Sequence, residues 1–378
     1  MAMEPAGQPN MALCDVDTPA LIIDLDAFER NLRRMADAAA KAGLRLRPHA
    51  KTHKSAIIAK KQIELGAVGV CCQKVSEAEI LVKGGVPDVL VSNEIAGVHK
   101  IQRLVSLAKE ARIGVCVDNL NNVRELAEAA ERGAVKLSVL LEIDVGSNRC
   151  GVAPGEAALR IASEIAGSDS LHFAGLQAYH GAAQHMRSDD ERRNAIARAT
   201  ELSRNTVELL SRNGIPCGIV SGAGTGTFEF EAASGVFNEI QTGSYIFMDA
   251  DYGRNRNADG TAFDTFENAL FVFATVMSRP SEERAVVDAG HKSLAVDSGM
   301  PEPFRRPGIV YRRPSDEHGV LISEGGILPD YGDKILIVPG HCDPTVNLHD
   351  WYIGVRDLHR SAPIVEAVWP VSARGAVF

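Results

Sequence analysis

Short apolar runs alternate with helical patterns along most of this chain. Between residues 44 and 247, runs rich in Val, Ile and Leu end in polar or glycine-rich residues, and apolar residues at helical spacing follow each run. The pattern predicts eight strands, near residues 44–51, 68–73, 88–93, 113–118, 137–144, 172–179, 217–222 and 238–247. Eight successive β-α units predict an α/β fold built on a TIM-like (β/α)8 barrel, and an open doubly wound sheet is the alternative.

Helix start signals fit this arrangement. Ser188 precedes Glu191 by three residues, and Ser76 precedes Glu79 by the same spacing, so each pair predicts a capping box. One further strand, over residues 21–25, and a helix over residues 26–42 come before the first β-α unit.

The pattern changes beyond residue 255. Helical periodicity stops there, and short strands near residues 269–276, 285–288, 308–311 and 334–338 alternate with Gly, Pro and Asp turns. This shift predicts a C-terminal all-β domain. The predicted organisation is an N-terminal segment over residues 1–20 that could join the β domain, the barrel over residues 21–255, and the β domain over residues 256–378.

Composition and charge narrow the range of partners. The chain has 40 Lys and Arg against 49 Asp and Glu, a net charge of −9 and no basic run, which argues against a nucleic-acid partner. No apolar run reaches the length of a membrane span, and residues 1–14 lack the pattern of a secretory signal. The seven cysteines, an odd number without a C-x-x-C pair, are expected to be reduced thiols. These features predict a cytoplasmic protein without a membrane partner.

The first predicted strand ends on a lysine that alternation turns inward. Side chains of a strand alternate between its two faces, so Arg47, His49 and Lys51 share one face. A buried lysine among cations loses its proton readily and becomes a nucleophile for carbonyl groups, which suits an imine with an aldehyde cofactor. A solvated basic strand edge is the alternative interpretation.

Polar residues at the carboxyl ends of the predicted strands form the candidate site, because a barrel brings those ends together. The glycine-rich segment from Ser221 to Thr227 follows the seventh strand, and Gly243 to Tyr245 lie in the eighth. Glycines let backbone N–H groups approach an anion, and the loops after strands seven and eight form the usual phosphate site of such barrels. A phosphate cradle beside an inward lysine predicts pyridoxal 5′-phosphate, held by Lys51, Gln73, Ser221, Gly224, Thr225, Gly226, Gly243, Ser244 and Tyr245.

Three further residues are candidates with open alternatives. Arg149 follows the fifth strand and could reach the cofactor phenolate or a substrate carboxylate, or it could be a surface arginine. Tyr179 ends the sixth strand and could pack on the cofactor ring, or it could be a core tyrosine. His185 lies on a loop over the barrel mouth and is a candidate general base, although a solvated histidine is the commoner case.

The β domain carries a possible metal pair in the segment from Pro339 to Thr345. In an extended chain His341 and Asp343 share one face, which would place an imidazole and a carboxylate on one divalent cation. Cys342 should then point away. Nitrogen and oxygen ligands with open positions suit Mn²⁺ first, with Mg²⁺, Co²⁺ or Zn²⁺ as alternatives.

These segments together resemble one known group of enzymes. The chain is similar to the metal-dependent D-threonine aldolases and D-3-hydroxyaspartate aldolases, relatives of D-serine dehydratase in the alanine-racemase-like class of pyridoxal phosphate enzymes. The resemblance covers nearly the whole chain, through Asp17 to Pro19, Arg47 to Lys51, Cys71 to Ala78, Gly175 to Tyr179, Met248 to Gly253, Asp316 to Gly319 and His341 to Thr345.

The resemblance implies roles for the candidate residues. Lys51 would form the imine, Arg149 would lie by the cofactor phenolate, Tyr179 near the ring, and His341 with Asp343 on the metal. It also implies that the β-hydroxyl of a D-β-hydroxy-α-amino acid binds the metal and loses its proton to His185 or to a metal hydroxide. The Cα–Cβ bond then breaks to release an aldehyde and leave glycine.

Two other functions stay open on the same scaffold. A dehydratase or racemase would use the same cofactor, and a pyridoxal phosphate carrier would have no catalysis. The dehydratase relatives carry a cysteine two residues after the metal histidine, where this chain has Asp343, which favours aldol cleavage. A carrier would not need the β domain with its metal pair. A homodimer is expected from the resemblance.

Overall fold

Eight parallel strands close into a barrel where the sequence pattern predicts them. The structure is a computed structural model that describes residues 4–378. After β1 (Ala20–Asp24) and α1 (Leu25–Lys41), the barrel strands are β2 (Arg45–Leu46), β3 (Val70–Cys72), β4 (Asp88–Glu94), β5 (Arg112–Val117), β6 (Leu137–Glu142), β7 (Leu171–Gln177), β8 (Ile219–Gly222) and β9 (Glu239–Ile240).

The hydrogen bonds of the sheet form a closed ring. Neighbouring strands follow the order β2-β9-β8-β7-β6-β5-β4-β3. The ring closes between β2 and β3, where Ala50 N–H donates to Cys71 O at 2.7 Å and Cys71 N–H donates to Pro48 O at 2.9 Å. The predicted barrel is therefore confirmed, and the doubly wound alternative is excluded.

Helices connect the barrel strands. They are α2 (Ala56–Glu64), α3 (Val75–Lys83), α4 (Val98–Leu107), α5 (Leu120–Gly133), α6 (Glu156–Ala166), α7 (Asp189–Arg212) and α8 (Phe228–Ala233). A 3₁₀ helix (Ser244–Ile246) and α9 (Ala250–Gly253) follow β9. Helix α1 packs against this 3₁₀ helix, since Asn31 Nδ2 donates to Ile246 O at 3.3 Å. Valines such as Val70, Val89 and Val115 are fully buried in the sheet, and each contributes about 1.5–3 kcal/mol.

One of the two predicted capping boxes is present. Ser188 caps α7, since Glu191 N–H donates to Ser188 Oγ and the Glu191 carboxylate accepts from Ser188 N–H, both at 3.2 Å. The box predicted for Ser76 is wrong because α3 begins earlier, and Glu77 accepts from Lys74 N–H at 3.0 Å. Glu79 pairs with Arg103 instead, at 2.7 Å.

The first and eighth strands are shorter than predicted. Pro48 cannot donate a ladder hydrogen bond, so β2 ends early and Lys51 lies in a turn beyond the strand. Residues 243–245, predicted to lie in the eighth strand, lie in a loop and in the 3₁₀ helix instead.

The C-terminal part of the chain forms the predicted β domain. Its elements are β10 (Leu270–Ser281), β11 (Arg284–Val287), β12 (Glu302–Pro303), β13 (Ile309–Pro314), β14 (Gly319–Ser323), β15 (Lys334–Val338), α10 (Cys342–Val346), β16 (Trp351–Arg356) and β17 (Ile364–Pro370). The main strand order is β13-β14-β11-β10-β1-β16-β17, with β15 paired to both β10 and β12.

The first strand corrects the predicted domain boundary at residue 21. Strand β1 lies in the β-domain sheet, antiparallel to β10 and parallel to β16. All five of its residues are buried, and a strand without polar alternation gives no signal of which sheet it joins. The described part of the N-terminal segment also follows this domain, since Asn10 N–H donates to Val365 O at 2.8 Å. Residues 1–3 of that segment lie outside the described residues. Within residues 4–378, no helix is long and apolar enough to cross a membrane.

Candidate active site

A cavity of about 270 Å³ lies at the carboxyl ends of the barrel strands, closed on one side by the β domain. Most of the predicted site residues line it. They are Lys51, Gln73, Arg149, Tyr179, His185, Gly224, Thr225, Gly243, Ser244, His341 and Asp343. Residues from both domains therefore meet around one space.

Lys51 faces the cavity beside a carboxylate. Its Nζ lies 3.7 Å from Asp343 Oδ2. Burial alone would lower the pKa of Lys51, but Asp343 and the Tyr179 phenol hold that pKa above its usual value. The predicted cationic surroundings of Lys51 are therefore incomplete, because Asp343 lies beside it and outweighs the opposing effect of Arg149 on its pKa.

Arg47 does not share the space around Lys51. It lies lower in the barrel, where its guanidinium donates to Asp88 at 2.6 Å and to Glu239 at 3.2 Å. It lines a separate cavity at the amino-terminal ends of the strands. Strand alternation places the Arg47 side chain inside the barrel, as predicted. Each step of two residues along a strand also moves a side chain by one layer along the barrel axis, so Arg47 lies nearer the amino-terminal ends than Lys51 does.

His49 is a cavity residue that was placed on the inward face but not assigned to the site. Its Nε2 lies 2.9 Å from Gln73 Nε2 and 3.2 Å from Ser92 Oγ, and its Nδ1 lies 3.3 Å from the Lys51 backbone N. Burial, together with the charges of Lys51 and Arg149, holds the pKa of His49 well below its usual value. A neutral imidazole and two polar side chains therefore form the floor beneath Lys51.

Two buried hydroxyls without partners lie in the cavity lining beside glycine-containing loops. Thr225 Oγ1 and Thr52 Oγ1 are both buried and make no hydrogen bond within the described part of the chain. Both line the cavity beside Gly224, Gly243 and Ser244. An unpaired buried hydroxyl is costly, so the pair fits an anion with several acceptor oxygens. Thr52 lay beside the predicted lysine, and nothing in its local sequence distinguished it.

Three residues predicted to hold the cofactor are engaged elsewhere. Ser221 Oγ donates to Glu239 at 2.9 Å, and the Tyr245 hydroxyl accepts from Gln62 at 3.1 Å. Gly226 N–H donates to Gln184 Oε1 at 3.0 Å. None of these three residues lines the cavity, so their part in holding the phosphate stays a prediction.

Arg149 and Tyr179 line the cavity together. The Arg149 guanidinium carbon lies 5.9 Å from the centre of the Tyr179 ring, within cation–π range. Burial raises the pKa of the Tyr179 phenol, with Lys51 and Arg149 opposing that change. A flat aromatic face and a cation are therefore available on the wall near Lys51.

His185 lies at the end of a 3₁₀ helix (Ala182–His185) over the cavity. Its Nδ1 is 2.5 Å from Asp251 Oδ2, and Arg187 also donates to that carboxylate. Burial would raise the pKa of Asp251, but its hydrogen bonds with His185 and Arg187 hold it at about 2. Neither Asp251 nor Arg187 was predicted from the sequence.

His341 and Asp343 meet at the cavity, although not through an extended chain. His341 precedes α10 and Asp343 lies in its first turn. His341 Nδ1 is 2.7 Å from Asp297 Oδ2 and 3.2 Å from Ser298 Oγ. Burial would lower the pKa of His341, whereas Asp343 and Asp297 raise it. The Cys342 thiol is turned away, as expected, toward Met248 O at 3.4 Å.

These residues fit a divalent cation. Asp343 Oδ1 is buried without a hydrogen-bond partner in the described residues, so the carboxylate has an unused lone pair. Asp297 engages His341 Nδ1 and leaves Nε2 as the nitrogen available for a ligand bond, which is the usual arrangement around metal-bound histidines. Asp297 lies 44 residues before His341 in the chain, and no sequence signal connected them.

A second group of potential ligands lies at the ends of β4 and β5. One ligand atom each from Glu94, Asp118 and Cys150 lies within 4.8 Å of the others. Burial and the nearby carboxylates raise the pKa of Cys150 to about 11, so its thiol stays protonated near neutral pH. The neighbouring Glu142 has its pKa raised to about 8 by burial and by Glu94. A protonated thiol is a poor metal ligand, which argues against a soft-metal site in this group.

Known proteins match this chain over its full length. Residues 23–251 match a family profile described as the alanine racemase N-terminal domain, and residues 269–355 match one described as a serine dehydratase domain. A solved structure of D-threonine aldolase from Filomicrobium marinum superposes with a TM-score of 0.96, at 54% identity and with 100% of both chains covered.

Two curated relatives differ in how similar they are. The 3-hydroxy-D-aspartate aldolase of Paracoccus denitrificans (strain Pd 1222) is 48% identical over 97% of this chain and 94% of the relative. The D-threo-3-hydroxyaspartate dehydratase of Delftia sp. (strain HT23) is 27% identical over 88% of this chain and 92% of the relative. This chain is therefore more similar to the aldolase than to the dehydratase.

Proposed function

This chain belongs to the alanine racemase N-terminal domain family, and from that premise we propose that it is a carbon–carbon lyase acting on D-β-hydroxy-α-amino acids. The products are glycine and an aldehyde. For D-threonine the aldehyde is acetaldehyde, and for D-3-hydroxyaspartate it is glyoxylate. The observation that carries the proposal is the meeting of Lys51, the partnerless threonine hydroxyls and the pair His341 and Asp343 around one cavity.

The barrel residues fit pyridoxal 5′-phosphate. Thr52, Thr225, Gly224, Gly243 and Ser244 would hold its phosphate, and Lys51 would hold its aldehyde carbon. Gln73, Arg149 and Tyr179 would surround the ring. When bound, the cofactor withdraws electrons from the substrate α-carbon, which makes the Cα–Cβ bond cleavable.

The β-domain residues would place a cation beside the substrate's β-hydroxyl. His341 Nε2 and Asp343 Oδ1 would hold it, and a divalent cation makes a nearby alcohol more acidic. A cation on Asp343 would also draw this carboxylate away from Lys51. His185, above the cavity, accepts the hydroxyl proton on its ring nitrogen.

Dehydration is the second candidate, because residues 269–355 match the serine dehydratase domain profile. It would yield ammonia and a keto acid from the same substrates. Aldolase is favoured by the higher identity of the aldolase relative and by Asp343, a hard carboxylate ligand, in the metal pair.

Product identity tests the proposal. The enzyme, loaded with cofactor and Mn²⁺, should release glycine and an aldehyde from D-threonine or from a D-3-hydroxyaspartate diastereomer, and Lys51→Ala should release neither. Ammonia and a keto acid, without glycine, would instead establish the dehydratase. Parallel assays with Mg²⁺, Co²⁺ and Zn²⁺ identify the preferred metal, for which Mn²⁺ is our prediction.

The assembly and the location of the protein complete the proposal. We predict a homodimer, which light scattering on the cofactor-loaded protein measures directly. We also predict that the enzyme acts in the cytoplasm, which fractionation of the source cells would test.

A further inference from the structure

Asp251 is a buried carboxylate that contacts the candidate base directly. Its side chain is 4% exposed, whereas that of His185 is 49% exposed. It lies on α9, which Asp249 caps by accepting from Tyr252 N–H at 3.0 Å. The half-exposed imidazole of His185 therefore contacts the buried carboxylate of Asp251 at the edge of the cavity.

The contact determines which ring nitrogen of His185 carries the proton. An ionised carboxylate can only accept hydrogen bonds, so the Nδ1 that lies 2.5 Å from Asp251 Oδ2 must be the N–H. In the neutral ring Nε2 then has the lone pair. Since His185 lines the cavity, this lone pair is the one available to a substrate hydroxyl.

Arg187 binds the other oxygen of the same carboxylate. It donates to Asp251 Oδ1, and its Nη1 also donates to the Asp251 backbone oxygen at 2.7 Å and to Asn255 Oδ1 at 2.9 Å. Asn255 in turn donates to Gln184 O at 3.0 Å, next to His185 in the chain. The guanidinium is thus held rigidly against the carboxylate that contacts His185.

Other charged or titratable groups also face His185, and none of them changes in the Asp251 and Arg187 variants. The Tyr252 ring lies 6.2 Å from the imidazole. Those across the cavity are Lys51, Arg149, Tyr179, His341 and Asp343.

We propose that Asp251 is a positioning residue that holds His185 with Nε2 toward the substrate's β-hydroxyl, and that Arg187 holds the Asp251 carboxylate in place for this contact. The inference rests on the proposed function, in which His185 Nε2 takes the hydroxyl proton. The substrate O–H bond breaks and the Nε2–H bond forms, and Asp251 keeps its charge throughout.

The test is the ascending limb of the pH–rate profile, measured as kcat/KM on the holoenzyme. Asp251→Asn removes the charge that stabilises the imidazolium, so the limb should move to lower pH and kcat should fall by about 10²–10⁴-fold. Arg187→Gln keeps the Asp251 carboxylate on His185, so kcat should fall far less than in Asp251→Asn. An equal fall in both variants, or no fall in Asp251→Asn, would overturn the proposal.

A double variant separates positioning from a merely structural role. If Asp251 acts through His185, adding Asp251→Asn to His185→Gln should cost no further activity. Cofactor absorbance and Mn²⁺ affinity should stay unchanged in all variants. Additive losses of activity, or a loss of cofactor, would show that Asp251 supports the fold instead.

Nitrogen NMR of the imidazoles tests the inference independently of any substrate. Subtracting the His185→Gln spectrum identifies the His185 signals. These should show the Nδ1–H form in the wild type and a mixture in Asp251→Asn. The opposite tautomer in the wild type would overturn the inference even if cleavage is found. Failure of the wild type to cleave any substrate, with this tautomer present, would overturn only the proposed function.

Discussion

Lys51 and Lys54 lie in the same segment, and their surroundings give them different chemistry. Lys51 Nζ faces the cavity beside Asp343. Lys54 Nζ donates to Glu77 at 2.7 Å and to the carbonyl oxygen of Ala376 at 3.3 Å, so it fixes the C-terminal segment to α3. The sequence places both lysines near the barrel mouth, and only their neighbours distinguish a reactive amine from a structural one.

We expect Lys51→Ala to abolish cleavage and the visible absorbance of the covalently bound cofactor, because no other lysine of residues 4–378 lines the cavity. Borohydride reduction followed by peptide mapping measures the attachment site. Lys54→Ala is the matched control. It should keep the attachment but lose about 3 kcal/mol of stability, since the buried Glu77 loses its cation. Label found on Lys54 in the wild type would contradict the assignment.

At the scale of single elements, α8 carries a buried acid whose titration should be visible in the stability. Glu231 is 1% exposed, and its Oε2 has no partner in the described residues. Burial raises its pKa from 4.5 to about 7, against an opposing hydrogen bond from Thr227. The folded state therefore holds the proton more tightly than the unfolded chain, and stability is lost as the pH rises from below 4.5 through 7.

Glu231→Gln should remove this loss. The variant should gain stability over the wild type between about pH 5 and pH 8, by up to about 3 kcal/mol, because an amide does not ionise. Denaturant unfolding at a series of pH values measures the difference. Glu229→Gln, on an exposed position of the same helix, should show no pH-dependent gain. Parallel pH curves for wild type and Glu231→Gln would refute the assignment.

The loops that contain Gly226 and Gly243 allow a second test at the scale of single elements. A side chain on Gly243 would place its Cβ 2.7 Å from Thr52 Oγ1, inside the cradle, whereas one on Gly226 would meet Asn255 and Gln184 at 3.2 Å, outside it. Gly243→Ala should therefore weaken cofactor binding by about tenfold or more, as expected for losing one good hydrogen bond to a charged group. Gly226→Ala should change it much less. Equilibrium dialysis of the cofactor compares them, and equal affinities would argue against the cradle.

At the scale of the whole molecule, contacts between the domains bring the metal pair over the barrel. Asp249 ends the barrel segment and accepts from Cys342 N–H at 3.0 Å, while Ala250 N–H donates to Pro339 O at 3.0 Å. These bonds fix α10 above Lys51 without any metal. The metal should therefore serve the reaction and not the fold.

Chelation should remove nearly all cleavage and leave the cofactor spectrum intact, because the phosphate and lysine sites lie in the barrel. His341→Ala should behave in the same way. The melting temperature should change little, and adding back Mn²⁺ should restore the chelated wild type but not the variant. A large fall in melting temperature with full activity in the surviving folded protein would identify a structural metal instead.

The sequence by itself determined the barrel, the β domain and the chemical character of the site. Hydrophobic periodicity is a local property, so it reported eight strands and the change of pattern beyond residue 255. Strand ends converge in any such barrel, which is why Lys51, Tyr179 and Thr225 could be placed at one mouth. The two-residue spacing and chemical types of His341 and Asp343 suggested a metal pair, and the resemblance to the aldolases supported it.

Only the tertiary structure decided which neighbour each polar group meets. Strand β1 joined the distant β domain, Ser221 and Tyr245 turned to Glu239 and Gln62, and Gly226 was held by Gln184. Asp251 and Asp297 reached the histidines from 66 and 44 residues away in the chain. Such pairings depend on how whole elements pack, and a buried hydrogen bond forms with whichever partner the fold brings within about 3 Å.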